Sequence, residues 1–210
     1  NNLRDFYNKG GETNNSISLS GGSKITSFYL SYGNVTSNGI IPTKSDYLSR
    51  NTFSLKTNSD FGKFTVNSFM NYIGQKLNVP NTGQGSSSGG GVFESLLEIP
   101  VDLPIKDFAD YTNKFFNVDN YFTPYVENPY YGLHENGDQQ KLDRILGNID
   151  LGYKFTQHFS ANFRIGGDFT NARTISWNQP NSPTPGSWNA GANPEHAIKA
   201  VDVGSVFQGS

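Results

Sequence analysis

Between Arg144 and Phe169 the chain alternates apolar and polar residues with a period of two, and this pattern limits what it can fold into. In the first arm Ile145, Ile149, Leu151, Tyr153 and Phe155 are apolar, and Arg144, Asn148, Asp150 and Lys154 fall between them. After the polar break Thr156-Gln157-His158 the scheme repeats, with Phe159, Ala161, Phe163, Ile165 and Phe169 opposite Ser160, Asn162, Arg164 and Asp168. A period of two with a short polar break predicts an antiparallel hairpin. Each arm is about ten residues long, which at about 3.3 Å per residue and a tilt near 45° spans roughly 25 Å, the height of an outer-membrane barrel's apolar band.

The same alternation recurs upstream. Ile17 and Leu19 stand against Ser16, Ser18 and Ser20, and Phe28, Leu30 and Tyr32 against Ser27, Ser31 and Gly33, with Tyr29 out of pattern. Phe53, Leu55 and Thr57 oppose Thr52, Ser54, Lys56 and Asn58; Phe64, Val66, Met70 and Tyr72 oppose Thr65, Asn67 and Asn71, with Phe69 out of pattern. The connections alternate in length: tight at 21–24, 60–63 and 156–158, long at 34–50, 74–141 and after 170. In an antiparallel meander this places every tight turn at one end of the sheet and every long loop at the other. Lys56, Asp150, Arg164 and Asp168 all fall opposite the apolar set, so one face is kept free of charge.

The insertion 74–141 contains a flexible Gly/Ser linker from Gly83, and short helices are expected at 94–97 and 105–116. Residues 1–171 therefore read as strands and loops, and 172–210 as part of a further long, extracellular loop. Hydrophobic residues make up 34% of the chain and the mean hydropathy is -0.54, thin for one compact core of 210 residues. A net charge of -2 argues against nucleic acid as a partner, and the lack of cysteine excludes disulfides, Cys-ligated zinc and thiol catalysis.

Two architectures accommodate the pattern. One is all-β: an antiparallel transmembrane β-barrel segment, about six strands of a larger barrel, with long extracellular loops. The alternative is a soluble β-sandwich, a carbohydrate-binding or adhesin module whose apolar faces share a core. Segregated loop lengths and aromatics at both arm ends favour the barrel.

Three stretches also resemble a known family: Asn14 to Asn58, Glu98 to Phe108 (EIPVDLPIKDF), and Asn128 to Thr170 (NPYYGLHENGDQQKLDRILGNIDLGYKFTQHFSANFRIGGDFT). The cues are the strand-ending Gly21-Gly22, the Gly39-Ile40-Ile41-Pro42 loop followed by Arg50-Asn51, the Ile99-Pro100-Val101-Asp102 segment and the strand start Arg144-Ile-Leu-Gly147-Asn148. They look like the barrel region of SusC/RagA-type TonB-dependent outer-membrane transporters of Bacteroidetes. The resemblance implies a barrel of roughly 22 strands around a plug. It further implies nutrient uptake of glycans or peptides (oligosaccharide or peptide substrate), a SusD-like surface lipoprotein, energy from TonB through an N-terminal part not contained in this stretch, outer-membrane lipid around the wall, and a place in the cell outer membrane.

No constellation of nucleophile and base stands out, so no catalytic residue, metal or cofactor is expected and the chain reads as a non-enzyme. His134, His158 and His196 are far apart and read as surface imidazoles. Trp177, Trp188, Tyr130 and Tyr131, in long loops, are candidate substrate contacts, because aromatic faces stack on sugars and hold peptide side chains. Arg144, Asn148, Asp150, Asn162, Arg164 and Asp168 are expected to face a lumen.

Overall fold

A computed structural model describes residues 2–80, 91–123, 126–177 and 184–187, and the backbone of 201–209. Seven strands form one antiparallel sheet in strict sequence order: β1 (Gly11–Gly22), β2 (Thr26–Asn38), β3 (Tyr47–Asp60), β4 (Phe64–Val79), β5 (Gly137–Lys154), β6 (Ser160–Trp177) and β7 (Val201–Gly209). The sheet is open, with β1 and β7 at its edges. The strands run 9 to 18 residues, longer than the alternation alone marks out, because pairing continues past the apolar rows into stretches where the alternation fades, such as residues 137–141 at the start of β5. The stretch expected as loop from 172 onward is corrected on two counts: β6 continues to Trp177, and β7 is a strand. The long insertion likewise shrinks to 80–136.

Register converts the alternation into rows that cross the sheet. On one face Ile17, Tyr32, Phe53, Tyr72, Ile145 and Phe169 stand side by side, followed by the row Leu19, Leu30, Leu55, Met70, Gly147 and Gly167. Next come Phe28, Thr57, Ser68, Ile149 and Ile165, and then Ser59, Val66, Leu151 and Phe163. Phe64 and Tyr153 close the face, with Phe155, Phe159 and Phe61 at the tight turns; ring centroids there lie 4.7 Å apart for Tyr153–Phe155 and 5.2 Å for Phe155–Phe159. These rows hold no charged residue. Gly147 is needed at its place, since a Cβ there would strike the carbonyl oxygen of Phe69 on β4.

This apolar face is covered by nothing among the described residues; Phe163 and Ile165 are 60% and 59% exposed. The buried core lies elsewhere. Phe6, Val92, Leu96, Ile99, Ile105, Phe108, Tyr121, Val126, Tyr130 and Leu133 form one cluster drawn from the long-loop end, with no strand residue in it. A β-sandwich has its core between strand faces, so the sandwich expectation does not describe this sheet.

The cluster belongs to a small module built of α1 (Asn2–Phe6), α2 (Val92–Glu98), a 3-10 turn at Ile105–Ala109 and α3 (Pro129–Glu135). The helix expected over 105–116 is therefore only its first turn; Asp110 at ψ 71 leaves the helical range and the chain continues in turns. α1 and α3 lie in stretches read as loop. Asn2 explains α1's position: its amide donates to the Leu103 carbonyl (3.0 Å) and its side-chain oxygen accepts from the Ile105 N–H (3.3 Å). Asn8 N–H donates to Ile40 O (2.8 Å), so the 39–46 connection is tied to the same module.

Candidate functional site: the polar face and the loop module

The second face of the sheet gathers the six residues expected to look inward. Asp150 and Arg164 are register partners and meet in a two-pronged ion pair, Arg164 donating to both carboxylate oxygens, one of them at 3.1 Å. Arg144 reaches diagonally to Asp168 in a second fork, with Nε to Oδ1 at 2.8 Å. Asn148 donates to Asp150 Oδ2 (3.2 Å), and Asn162 faces Gly152 across the β5–β6 ladder. Each fork is exposed to water, which screens it, so it adds little to stability. Its larger effect is to cancel charge while leaving guanidinium and carboxylate edges available to a polar occupant.

Towards β1 the same face is lined by small polar groups: Ser18, Ser31, Ser54 and Asn71 form one row, and Ser27, Asn58 and Asn67 another. Between them run Ser20, Tyr29, Lys56, Phe69 and Asn148. Tyr29 and Phe69, which break the alternation, thus flank Lys56 on both sides. An aromatic–cation–aromatic triplet in an otherwise Ser/Asn surface is the most distinctive feature of this face. The sequence marked both aromatics as irregular without joining them, because only the β2–β3–β4 register brings positions 29, 56 and 69 together.

In the loop module, Asn128 is the joint. It is 3% exposed, caps α3 by accepting from Tyr130 N–H (2.9 Å), and donates to the carbonyls of Phe108 (2.8 Å) and Phe116 (3.3 Å). Phe108 packs against Phe116, Tyr121 and Phe122 at centroid distances of 4.7, 5.8 and 6.3 Å. Beside Asn128, burial raises the carboxyl of Glu127 to about 7. Burial first, then the negative charges of Glu127 and Glu135 and the neighbouring Tyr111, pushes the Tyr131 hydroxyl up to about 12.

The Glu127 shift carries a prediction. Its folded pKa lies above its unfolded value, so stability that is complete below about 4.5 is lost as pH rises through about 7. The ceiling is about 3 kcal/mol, reduced by water screening at a half-buried side chain. Protease resistance of the loops is expected to fall between pH 5 and 7.5 in the native protein and to stay flat in Glu127→Gln; equal slopes would refute the assignment.

The candidate substrate contacts fare differently. Tyr130 is only 8% exposed and packs edge-on against Phe6 at 5.2 Å, so it holds the module together. Trp177 shares the face of Ile165 and Phe169, not the polar face, and its ring lies over Gly137, where an added Cβ would come within 3.0 Å of it. Tyr131 is half-buried, edge-on to Tyr111 at 5.8 Å, and Tyr111 donates to Glu135 (2.7 Å) with His134 alongside. Trp188 and His196 lie outside the described residues. No group of His, Cys, Asp and Glu fit to hold a metal occurs among the described residues.

No protein-family model and no curated protein matches the chain. Among solved structures it aligns with the RagAB peptide importer in its closed-closed state at a TM-score of 0.63 and 18% identity, over 89% of this chain and 20% of that one. The chain shares its fold with part of RagAB. A structure of the RagAB peptide transporter gives 0.61 at 18% identity and the importer's open-open state 0.58 at 18%, each over 88% of this chain and 20% of the other. This chain thus spans about a fifth of the RagAB chains it matches. They are transporters, not enzymes. No helix among the described residues is long and apolar enough to cross a membrane, a test that does not bear on membrane strands.

Proposed function

We propose that this chain is a stretch of wall and outer mouth in an outer-membrane, TonB-dependent importer of the SusC/RagA type. The observation that carries the reading is the pairing of a band of charge-free apolar rows on one face with a polar face on the same strands, under a module built from the long loops. The tight-turn end lies on the periplasmic side, the loop module outside, and further strands of a larger barrel satisfy the two open edges. The apolar rows meet lipid. Arg144, Asn148, Asp150, Asn162, Arg164 and Asp168 face the lumen, and the Tyr29–Lys56–Phe69 triplet joins them as the foremost substrate contact. A SusD-like lipoprotein covers the loop module, with Tyr131, Tyr111 and His134 on the surface it would meet.

Peptide is the favoured cargo over glycan. The polar face presents both signs of charge beside aromatic rings, which suits a zwitterionic chain with mixed side chains, and the structures it resembles are described as a peptide importer. The test is uptake of labelled oligopeptides and oligosaccharides by cells carrying the whole transporter. Tyr29→Ala with Lys56→Ala is expected to cut peptide uptake about tenfold or more at unchanged surface level, the effect of losing a stacked ring and a charge. Unchanged peptide uptake would remove the triplet from the route, and a selective loss of oligosaccharide uptake would reverse the choice of cargo.

A further inference from the structure

The outward face changes character just above its last apolar row. Tyr32 donates its hydroxyl to Asn51 Oδ1 (2.7 Å) and Tyr72 to Asp143 Oδ1 (2.6 Å), so both rings lie on the apolar side and both hydroxyls reach the next row up. That row is Asn15, Asn34, Asn51, Gly74, Asp143 and Asn171. Tyrosines with this division mark the level where a bilayer's hydrocarbon gives way to headgroups.

One row higher stand Thr13, Thr36, Ser49, Lys76, Lys141 and Arg173. Lys76 is the register partner of Lys141, and Lys141 of Arg173, so three cations stand directly opposite one another on three adjacent strands. All three are exposed. Directly opposed like charges destabilise a sheet. Among the described residues none of the three makes an ion pair, and Asp143, the carboxylate in the row below, is already engaged by Tyr72. Above them the row is polar and uncharged where Asn78 accepts from Gln139 (3.2 Å).

Three neighbouring cations spanning about 10 Å, one row above the tyrosine hydroxyls, complement an anion held at headgroup depth. We infer that Lys76, Lys141 and Arg173 form a binding site for the phosphate of an anionic membrane lipid on the outer surface of the wall. The inference rests on the membrane-wall reading above. Arg173 supplies a planar two-pronged donor and the lysines point charges, so a phosphate bound there relieves their mutual repulsion and fixes the height of the wall in the leaflet.

The test uses the whole transporter, reconstituted in phosphatidylcholine nanodiscs with or without phosphatidylglycerol, with the lipid retained after re-extraction counted by native mass spectrometry. Phosphatidylglycerol retention is expected to drop about fivefold for Arg173→Gln and on the order of a hundredfold for the triple Gln variant, at about 1 kcal/mol per cation. Lys56→Gln, which removes a cation from the opposite face, is expected to retain lipid as the native protein does. Insertion with no preference for phosphatidylglycerol, equal loss in Lys56→Gln, or complete displacement by inorganic phosphate would overturn the lipid site and leave the wall reading standing. Failure of the protein to enter the nanodisc would overturn both.

Discussion

Ile149→Arg is expected to block assembly into the membrane, whereas Asn148→Arg, one residue away, is tolerated. Ile149 lies beside Ser68 and Ile165 on the apolar face, four residues below the Ile145–Phe169 row and six above Phe155. In the proposed membrane wall it is therefore close to the bilayer midplane, where an arginine on the lipid face costs about 2 to 4 kcal/mol. Asn148 points the other way, next to Asp150, and an arginine there finds a carboxylate and water. Heat-modifiable gel mobility of the membrane fraction reports the folded barrel directly. Equal folding of the two variants would refute the facing of the whole sheet, because a register without bulges couples every position to this one.

Asn128→Ala is expected to loosen the loop module while leaving the strands assembled. The substitution deprives two carbonyls of their donor and the Tyr130 N–H of its acceptor, in a site that is 3% exposed. Unsatisfied buried groups cost about 1 to 3 kcal/mol each, so a loss of about 3 to 5 kcal/mol is expected after partial relaxation. Asn128→Asp, which keeps the α3 cap and loses the two donated bonds, should fall between. Limited proteolysis of intact membranes reads this as faster cutting within 91–136, with the barrel's heat-modifiable mobility unchanged. Native-like resistance of Asn128→Ala would show that the module is held by its apolar cluster alone.

The strands were legible because facing is written in the residues. Ile145, Ile149, Leu151 and their partners announce a two-sided sheet, and the tight turns announce which strands pair. The loop module was not legible. Its core draws one to three residues from each of several short segments, Phe6 from the first, Ile105 and Phe108 from another, and no period joins one segment to the next. Tyr130 and Trp177 illustrate the same gap, since an aromatic in a polar stretch looks available until the packing that claims it is known. β7 escaped because Val201, Val203 and Phe207 alternate with Asp202, Gly204 and Gln208 over a span too short to separate from the Pro/Gly/Asn-rich tract before it. The cation row was hidden for a different reason: Lys76, Lys141 and Arg173 are each ordinary strand-end charges, and only register makes them neighbours.

The module at the long-loop end also bears on how the wall comes together. Every pairing in the sheet joins strands consecutive in the chain, so the meander can zip hairpin by hairpin, with its longest closure where β4 must find β5 across residues 80–136. Closing a connection of that length instead of a three-residue turn costs roughly 2 to 3 kcal/mol of chain entropy. A compact cluster within 91–133 shortens the effective tether. The module is then a clasp for the β4–β5 seam, and changes within it should appear first as slower assembly of the sheet, before any loss of the finished fold.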